Sequence, residues 1–426
     1  MSTESSALAG SPADGPLERV RKAVALAVML SGAILTALIF TALAPVVTEI
    51  AKHYSTTPGG SLIGMFIVTA PGLGVIVGGL TGGIVVDRFG RKRMLLVALA
   101  VFAVSGSSIL YLDVPWALLL SRAVLGWSGA TAQAAVIGLI SSVFAEPRRS
   151  RMIGYEAAIG TFAAILSVWS AGQLAEHWGW RAPAALYLFG LVLFVAAALA
   201  IPKSADTPRA APVAGDAASP VFVAFLKRMA PFYLLIPFFY ACNYLLSIQM
   251  GFLLSAIGVI GPVAKSHVMM VGVIAGVPGA ASTGFIRQRF GEARLFALLC
   301  VLMGAGFSVL GLAHTSTMAM IGGGIAGLGS GMLMPTLMAI AMSRSADALR
   351  SRAAGLVYAM AYLGEFLNPL VFGAMGAALG IHGVYRSVGI ALPIVAVSVF
   401  ILSRLAGFQR LTAVPEAEAE TKAAVP

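Results

Sequence analysis

Charge is what this sequence has least of. Only 11% of its 426 residues are Asp, Glu, Lys or Arg, against about a quarter in ordinary soluble domains. Such a chain cannot clothe a water-facing surface, which excludes a disordered protein and nearly any soluble enzyme. Cysteine is almost missing: Cys242 and Cys300 stand singly inside apolar runs, so neither a disulfide framework nor a thiolate metal set can form. The five histidines, His53, His177, His267, His314 and His382, are isolated in or beside short connections. They read as interfacial polar residues rather than metal ligands. No lysine follows a glycine anywhere, so a Walker A phosphate loop is excluded in this chain. The apolar segments hold too few polar groups for an acid pair, a metal set or a nucleophile with its base. The pattern asks for no catalytic centre, cofactor or metal.

What the chain has is apolar length. Hydrophobic residues make up 59% of it, and its mean hydropathy is +0.93. A helix crossing the hydrocarbon core needs about 20 such residues. Twelve runs qualify, at about 23–44, 61–85, 94–112, 116–144, 152–175, 182–201, 230–254, 262–286, 295–313, 318–343, 354–378 and 387–407. They are continuous rather than alternating, which favours helices over a β-barrel. The basic residues orient them. If alternate connections and both tails share one side, that side holds 23 of the 28 lysines and arginines. Lys52, Arg122, Arg181, Lys265 and Arg386 are the remainder. The positive-inside rule therefore puts both termini in the cytoplasm of a multi-pass cell-membrane protein (the inner membrane in a bacterium). The +11 net charge is topological, and no nucleic-acid partner is needed.

The second half re-uses the first at an offset of 201 residues, the difference 291 − 90 between two glycines. Gly83-Ile-Val-Val-Asp87-Arg88-Phe89-Gly90-Arg91-Lys92-Arg93 is echoed by Gly284-Phe-Ile-Arg-Gln288-Arg289-Phe290-Gly291-Glu292-Ala293-Arg294. Gly126 maps onto Gly327 and Arg149-Ser150-Arg151 onto Arg350-Ser351-Arg352. Two six-helix bundles in parallel orientation are expected, at 23–201 and 230–407, joined by a polar cytoplasmic loop at 202–229. Disordered cytoplasmic tails are expected at 1–22 and 408–426. The first apolar run is too long for a cleaved signal peptide and reads as a retained span. Gly74, Gly78 and Gly82, and Gly323, Gly327 and Gly331, recur every four residues as close-packing faces.

Six plus six helices, the central loop and the run Gly83-x-x-x-Asp87-Arg88-x-Gly90-Arg91-Lys92 resemble the major facilitator superfamily of secondary transporters. The resemblance covers the chain apart from its tails. It implies an all-α membrane fold of two pseudo-symmetric bundles, and a cytoplasmic conformational latch at Gly83, Asp87, Arg88, Gly90, Arg91 and Lys92. An acid in so short a basic reversal can sit at a helix N-terminus or pair with arginines of a neighbour. The echo has Gln288 in place of the acid, which weakens any second latch.

Charges inside spans are costly and mark candidate sites. Arg122 lies about 10 Å into the fourth span. Its setting, Arg122-x-x-x-Gly126-x-x-Gly129-Ala130, is similar to the fourth-helix motif of proton-coupled facilitators, where the arginine is linked to proton transfer. Snorkelling to the headgroups is the bland alternative. Gln133 falls on nearly the same helical face. Glu365 lies about 20 Å along the eleventh span, in mid-membrane. Tyr358, Tyr362, Glu365 and Asn368 form one stripe, with Pro369 freeing a carbonyl beside it. Glu365 is the first candidate for a proton or a cation, with Arg122 tuning its charge; a structural hydrogen-bonding role is the alternative. Glu156 sits near the start of the fifth span, where the helix dipole or the loop arginines already account for it. Tyr240, Asn243 and Ser247 share a face that lines a cavity or glues helices.

Departures blur the subfamily. The resemblance to drug antiporters lacks their Gly-Pro-x-x-Gly-Gly signature at Ser167–Gly172, and Thr36 stands where some carry an acid. The Trp178-Gly179-Trp180-Arg181 segment does look like theirs. The expectation is a monomeric, proton-coupled transporter in the lipid bilayer working by alternating access, with a small molecule and protons as partners. It leans to export of an amphiphilic drug or metabolite. Uptake of a small anionic solute held by Arg122 is the runner-up, and a non-transporting receptor the third reading.

Overall fold

The computed structural model describes residues 16–57, 60–202, 220–346 and 349–404. Of the expected disordered tails 1–22 and 408–426, residues 1–15 and 408–426 lie outside them, as do 405–407 of the second bundle and 203–219 of the central loop; residues 16–22 are instead helical. The described residues form helices and no strand. In chain order these are α1 (Pro16–Leu30), α2 (Gly32–Thr41), α3 (Val47–His53), α4 (Gly60–Phe89), α5 (Arg91–Gly106), α6 (Pro115–Val143), α7 (Arg148–Trp178), α8 (Phe189–Ala200), α9 (Pro220–Asn243), α10 (Met250–Ala256), α11 (Pro262–Phe290), α12 (Glu292–Gly311), α13 (Ser316–Ser343) and α14 (Arg350–Arg404). Eleven helical stretches among them are long and apolar enough to cross a membrane. The last of these is not straight. Gly380 (φ 70°, ψ 166°) breaks α14 into two limbs that correspond to the last two expected spans.

The offset of 201 recurs in the backbone. Gly380 answers Gly179, which ends α7 at φ 84° and ψ 167°. Gly291 (φ 85°) answers Gly90 (φ 94°), each separating two antiparallel helices where a side chain would be strained. Close packing repeats as well. A Cβ on Gly126 would stand 1.9 Å from the Pro71 carbonyl oxygen, and one on Gly327 would stand 2.2 Å from that of Gly272. Two buried cores result. One draws on residues between Val28 and Ile201, the other on residues between Met229 and Ala396; among the described buried members Ala44, Val168 and Ile248 cross over, and the partly buried Tyr244, Phe252 and Tyr362 pack against the first core as well.

Two boundaries differ from the sequence reading. The first crossing is a broken rod, because Ser31 turns its hydroxyl onto the Val28 carbonyl (2.7 Å) and Pro45 sits in a 3-10 turn before α3. The seventh starts at Pro220, inside the segment read as loop; proline suits a first helical position and apolar residues follow it. A 3-10 turn at Tyr244–Leu246 breaks it where Ala44–Val46 breaks the first.

The glycine contacts carry a prediction. Gly126→Ala drives a methyl into the Pro71 carbonyl, so α4 and α6 must part. The expected loss is about 1–3 kcal/mol, read as a lower melting temperature of the purified protein; Gly83→Ala, with open space around it, serves as the silent control.

Candidate functional site

Arg122 does not face the space between the halves. Its side chain is fully buried inside the first core. Nε donates to the Ile67 carbonyl at 3.3 Å, Nη1 to that of Gly106 at 3.0 Å and Nη2 to the Tyr187 hydroxyl at 2.7 Å. The guanidinium also stacks 4.7 Å from the Tyr187 ring centroid. These bonds tie α6 to α4, α5 and the 3-10 turn before α8. Neither Gln133, expected on nearly the same face, nor Glu365, whose charge Arg122 was expected to tune, accepts any of these bonds. Gln133 is eleven residues along α6, about 16 Å by the helical rise, so a shared face does not become a contact. Tyr187→Phe keeps the ring and strips Nη2 of its acceptor. It is expected to cost about 1–3 kcal/mol, measured as a drop in thermal stability.

The space between the halves is lined instead by two acids and a run of aromatic rings. Gln133 Nε2 donates to Glu156 Oε1 at 2.8 Å, and the Ala33 amide donates to the same carboxylate. Glu156 is 3% exposed, buried well beyond what a dipole or loop role requires. Across the gap, Tyr358 on α14 lies in its electrostatic range. From there the rings run inward. Tyr358 stacks on Tyr362 (6.3 Å, 17°), Tyr362 on Phe40 of α2 (5.3 Å, 18°), and Phe40 approaches Tyr244 (6.2 Å), which neighbours Tyr240 (6.3 Å). Glu365 closes the far end of this ladder. It is 1% exposed, faces the Tyr244 hydroxyl, and its Oε2 has no hydrogen-bond partner among the described residues. Gly72 of α4 faces it: a Cβ there would stand 3.6 Å from Oε2, in ordinary contact, and 3.1 Å from the Tyr362 carbonyl oxygen.

Asn243 pairs with Ser330 Oγ on the wall of a neighbouring cavity of about 90 Å³, which Thr41, Val168, Ser247 and Met269 also line. Asn368 is glue: its Nδ2 donates to the Ala241 carbonyl at 2.7 Å. Phe40 and Tyr244 were not singled out in the sequence, because nothing in a single helix shows which rings of another half will meet it.

The contacts that the motif residues make are with their own half. Gly83 is open on all sides, Arg88 lies over Phe89, Arg91 packs beside Gly138, and Lys92 donates to the Ala198 (3.0 Å) and Ile201 carbonyls at the end of α8. That is where a helix C-terminus favours a cation. Gly90 supplies the reversal, and Asp87 is half-buried with no bond to another described residue. In the second half an acid is present after all, four residues beyond Gln288. Glu292 bonds Arg287 at 3.0 Å and Arg344 at 3.5 Å.

At the opposite end the halves are bolted together. Lys265 of α11, 3% exposed, donates to Glu49 Oε1 (2.8 Å) and Thr48 Oγ1 (2.6 Å) of α3. The Val263 amide donates to Glu176 of α7 at 3.4 Å. Outside these helices, Asp113 accepts from Arg181 and lies 3.4 Å from His53; burial, with Asp113 nearby, pushes the Tyr54 phenol up. The described residues hold no cluster of three or more metal-ligating side chains.

The Major Facilitator Superfamily profile matches residues 29–307 and 251–425 of the chain. Curated relatives include the multidrug efflux pump LfrA of Mycolicibacterium smegmatis, 30% identical over 196 residues, which are 45% of this chain and 36% of that protein. The D-xylose transporter of Levilactobacillus brevis is 28% identical over 137 residues, 30% of each chain. These matches thus span about a third of the relatives' own length. Among solved structures, the nucleoside transporter NupG superimposes with a TM-score of 0.70 at 16% identity, over 91% of this chain and 100% of that one. A mutant of the peptide transporter POT gives 0.73 at 15%, over 96% and 99%. Likeness at that identity speaks for the fold alone.

Proposed function

The chain belongs to the Major Facilitator Superfamily, a family of membrane transporters and not of enzymes, and from that premise we propose a monomeric, proton-coupled exporter of an amphiphilic drug or metabolite. The observation that carries this reading is the pair of buried acids, Glu156 and Glu365, at the two ends of one aromatic ladder between the halves. Intramembrane acids are costly and mark ion or substrate paths. Glu365, with an oxygen left unbonded, is the proton site. Glu156 and the rings hold the substrate.

The two cores act as the two rocking bundles, residues 23–201 and 230–407, and the positive-inside rule makes the Arg88–Arg93 end cytoplasmic. On that orientation the Lys265–Glu49 bolt closes the outer side. Tyr358, 45% exposed, leads in from the cytoplasm. Proton binding at Glu365 shifts the equilibrium only because the two states hold that proton differently. An anionic substrate held by Arg122 is disfavoured, since every nitrogen of that guanidinium is already bonded away from the gap.

The test is flux in proteoliposomes containing the full chain. An imposed inward proton gradient should drive expulsion of a fluorescent amphiphile, and unlabelled amphiphile should exchange with it in the absence of a gradient. Exchange without any response to the gradient overturns proton coupling, and no flux at all overturns the transporter role in favour of a receptor.

A further inference from the structure

Glu156 and Gln133 present oxygens to one spot. A Cβ built on Gly32 would lie 2.6 Å from Gln133 Oε1 and 2.9 Å from Glu156 Oε1, so both acceptors converge over a backbone that must be bare. Gln133 has already used Nε2 on Glu156, and its buried Oε1 has no partner among the described residues. The groups that touch the Glu156 carboxylate are an amide nitrogen on Gln133 and the Ala33 backbone; both are neutral. The buried cations among the described residues are committed elsewhere, Arg122 to carbonyls and Tyr187, Lys265 to Glu49 and Thr48. A buried carboxylate without a cation is poorly compensated until one arrives. Beside it stand the near-parallel faces of Tyr358, Tyr362 and Phe40, which suit a flat apolar body and attract positive charge.

We infer that this end of the ladder is the head-group pocket for the substrate, and that the head group is an organic cation able to donate hydrogen bonds: a protonated amine on an aryl or alkyl body. The inference rests on the transporter reading above and adds the chemistry of what is carried. Two converging oxygens select for N–H donors as well as for charge. A quaternary ammonium, which has charge and no donor, satisfies only the rings and the Coulomb attraction. An alcohol of the same shape donates but carries no charge, and a carboxylate meets repulsion from Glu156.

The experiment is calorimetric binding to the full chain in lipid nanodiscs, with no gradient imposed. The probes are 2-(2-naphthyl)ethylammonium and its trimethylammonium, alcohol and carboxylate analogues. The ammonium is expected to bind about tenfold more tightly than the trimethylammonium or the alcohol, and the carboxylate to show no binding. Glu156→Gln should erase the preference for the ammonium over the alcohol. Gly32→Ala keeps both acids and fills the convergence point, so it should do the same if Glu156→Gln fails to fold. Equal affinity for ammonium and alcohol, a trimethylammonium that binds as tightly as the ammonium, or a preference that survives both substitutions overturns the inference. Proton coupling is read separately by flux, so its failure leaves this binding result standing.

Discussion

Glu365→Gln is expected to abolish gradient-driven accumulation while leaving exchange in place. The side chain is 1% exposed, and its Oε2 has no partner among the described residues. Gly72 of the other half lies against it, so the acid sits where the two halves meet. Glutamine has the shape of the protonated acid and no proton to release. The variant is therefore held on one side of the titration, and the two conformations no longer differ in protons bound. A pH difference of one unit is worth about 1.4 kcal/mol per proton. A one-proton exporter should thus build about a tenfold substrate ratio across such a gradient, and the variant a ratio of one. Tracer exchange at equal pH should persist in the same vesicles. An unchanged ratio in the variant would move the proton to another group, with Glu156 the next to test.

What the sequence made legible is whatever repeats along the chain or lies along one helix. Gly90 and Gly291, Gly179 and Gly380, and the Gly126 and Gly327 contacts all obey the offset of 201, because a backbone requirement forces glycine at both copies. The stripe Tyr358, Tyr362, Glu365 was visible for a similar reason: spacing on a helix fixes its face. Contacts between helices were not visible. Gln133 was placed on nearly the same helical face as Arg122, and that face could not show that its partner is Glu156 on α7. Arg122 was expected at the cavity, yet three acceptors from α4, α5 and the 3-10 turn after α7 hold it inside one core. Glu292 was overlooked because the acid had moved along the chain while staying within reach of Arg287. Lys265 was left in the remainder of five basic residues and not singled out, though it falls within the run 262–286; a lysine inside a span was signal enough.

Lys265→Met is expected to loosen the outer end of the transporter. The ammonium is 4% exposed at the side chain and bridges α11 of one half to α3 of the other, through Glu49 and Thr48. The break at Ala44–Val46 aims α3 across the gap, so the bolt depends on the same bent first rod that the second half copies. Breaking a fully buried pair costs about 3–5 kcal/mol, and Glu49, 29% exposed, regains part of that from water. A shift of about 1.4 kcal/mol, tenfold in the closed-to-open ratio, is the corresponding expectation. Ala44→Cys reports it, since Ala44 is 3% exposed on the wall of the cavity and the native Cys242 and Cys300 are buried. A membrane-impermeant thiol reagent applied from outside should label that cysteine about ten times faster in the Lys265→Met background. Exchanging the charges, with Glu49→Lys and Lys265→Glu together, should slow labelling again, because the attraction between the halves returns with its sign pattern reversed. Labelling that ignores all three states of the pair would mean that packing around Gly172 and Ser266 closes this end, with the ion pair a passenger.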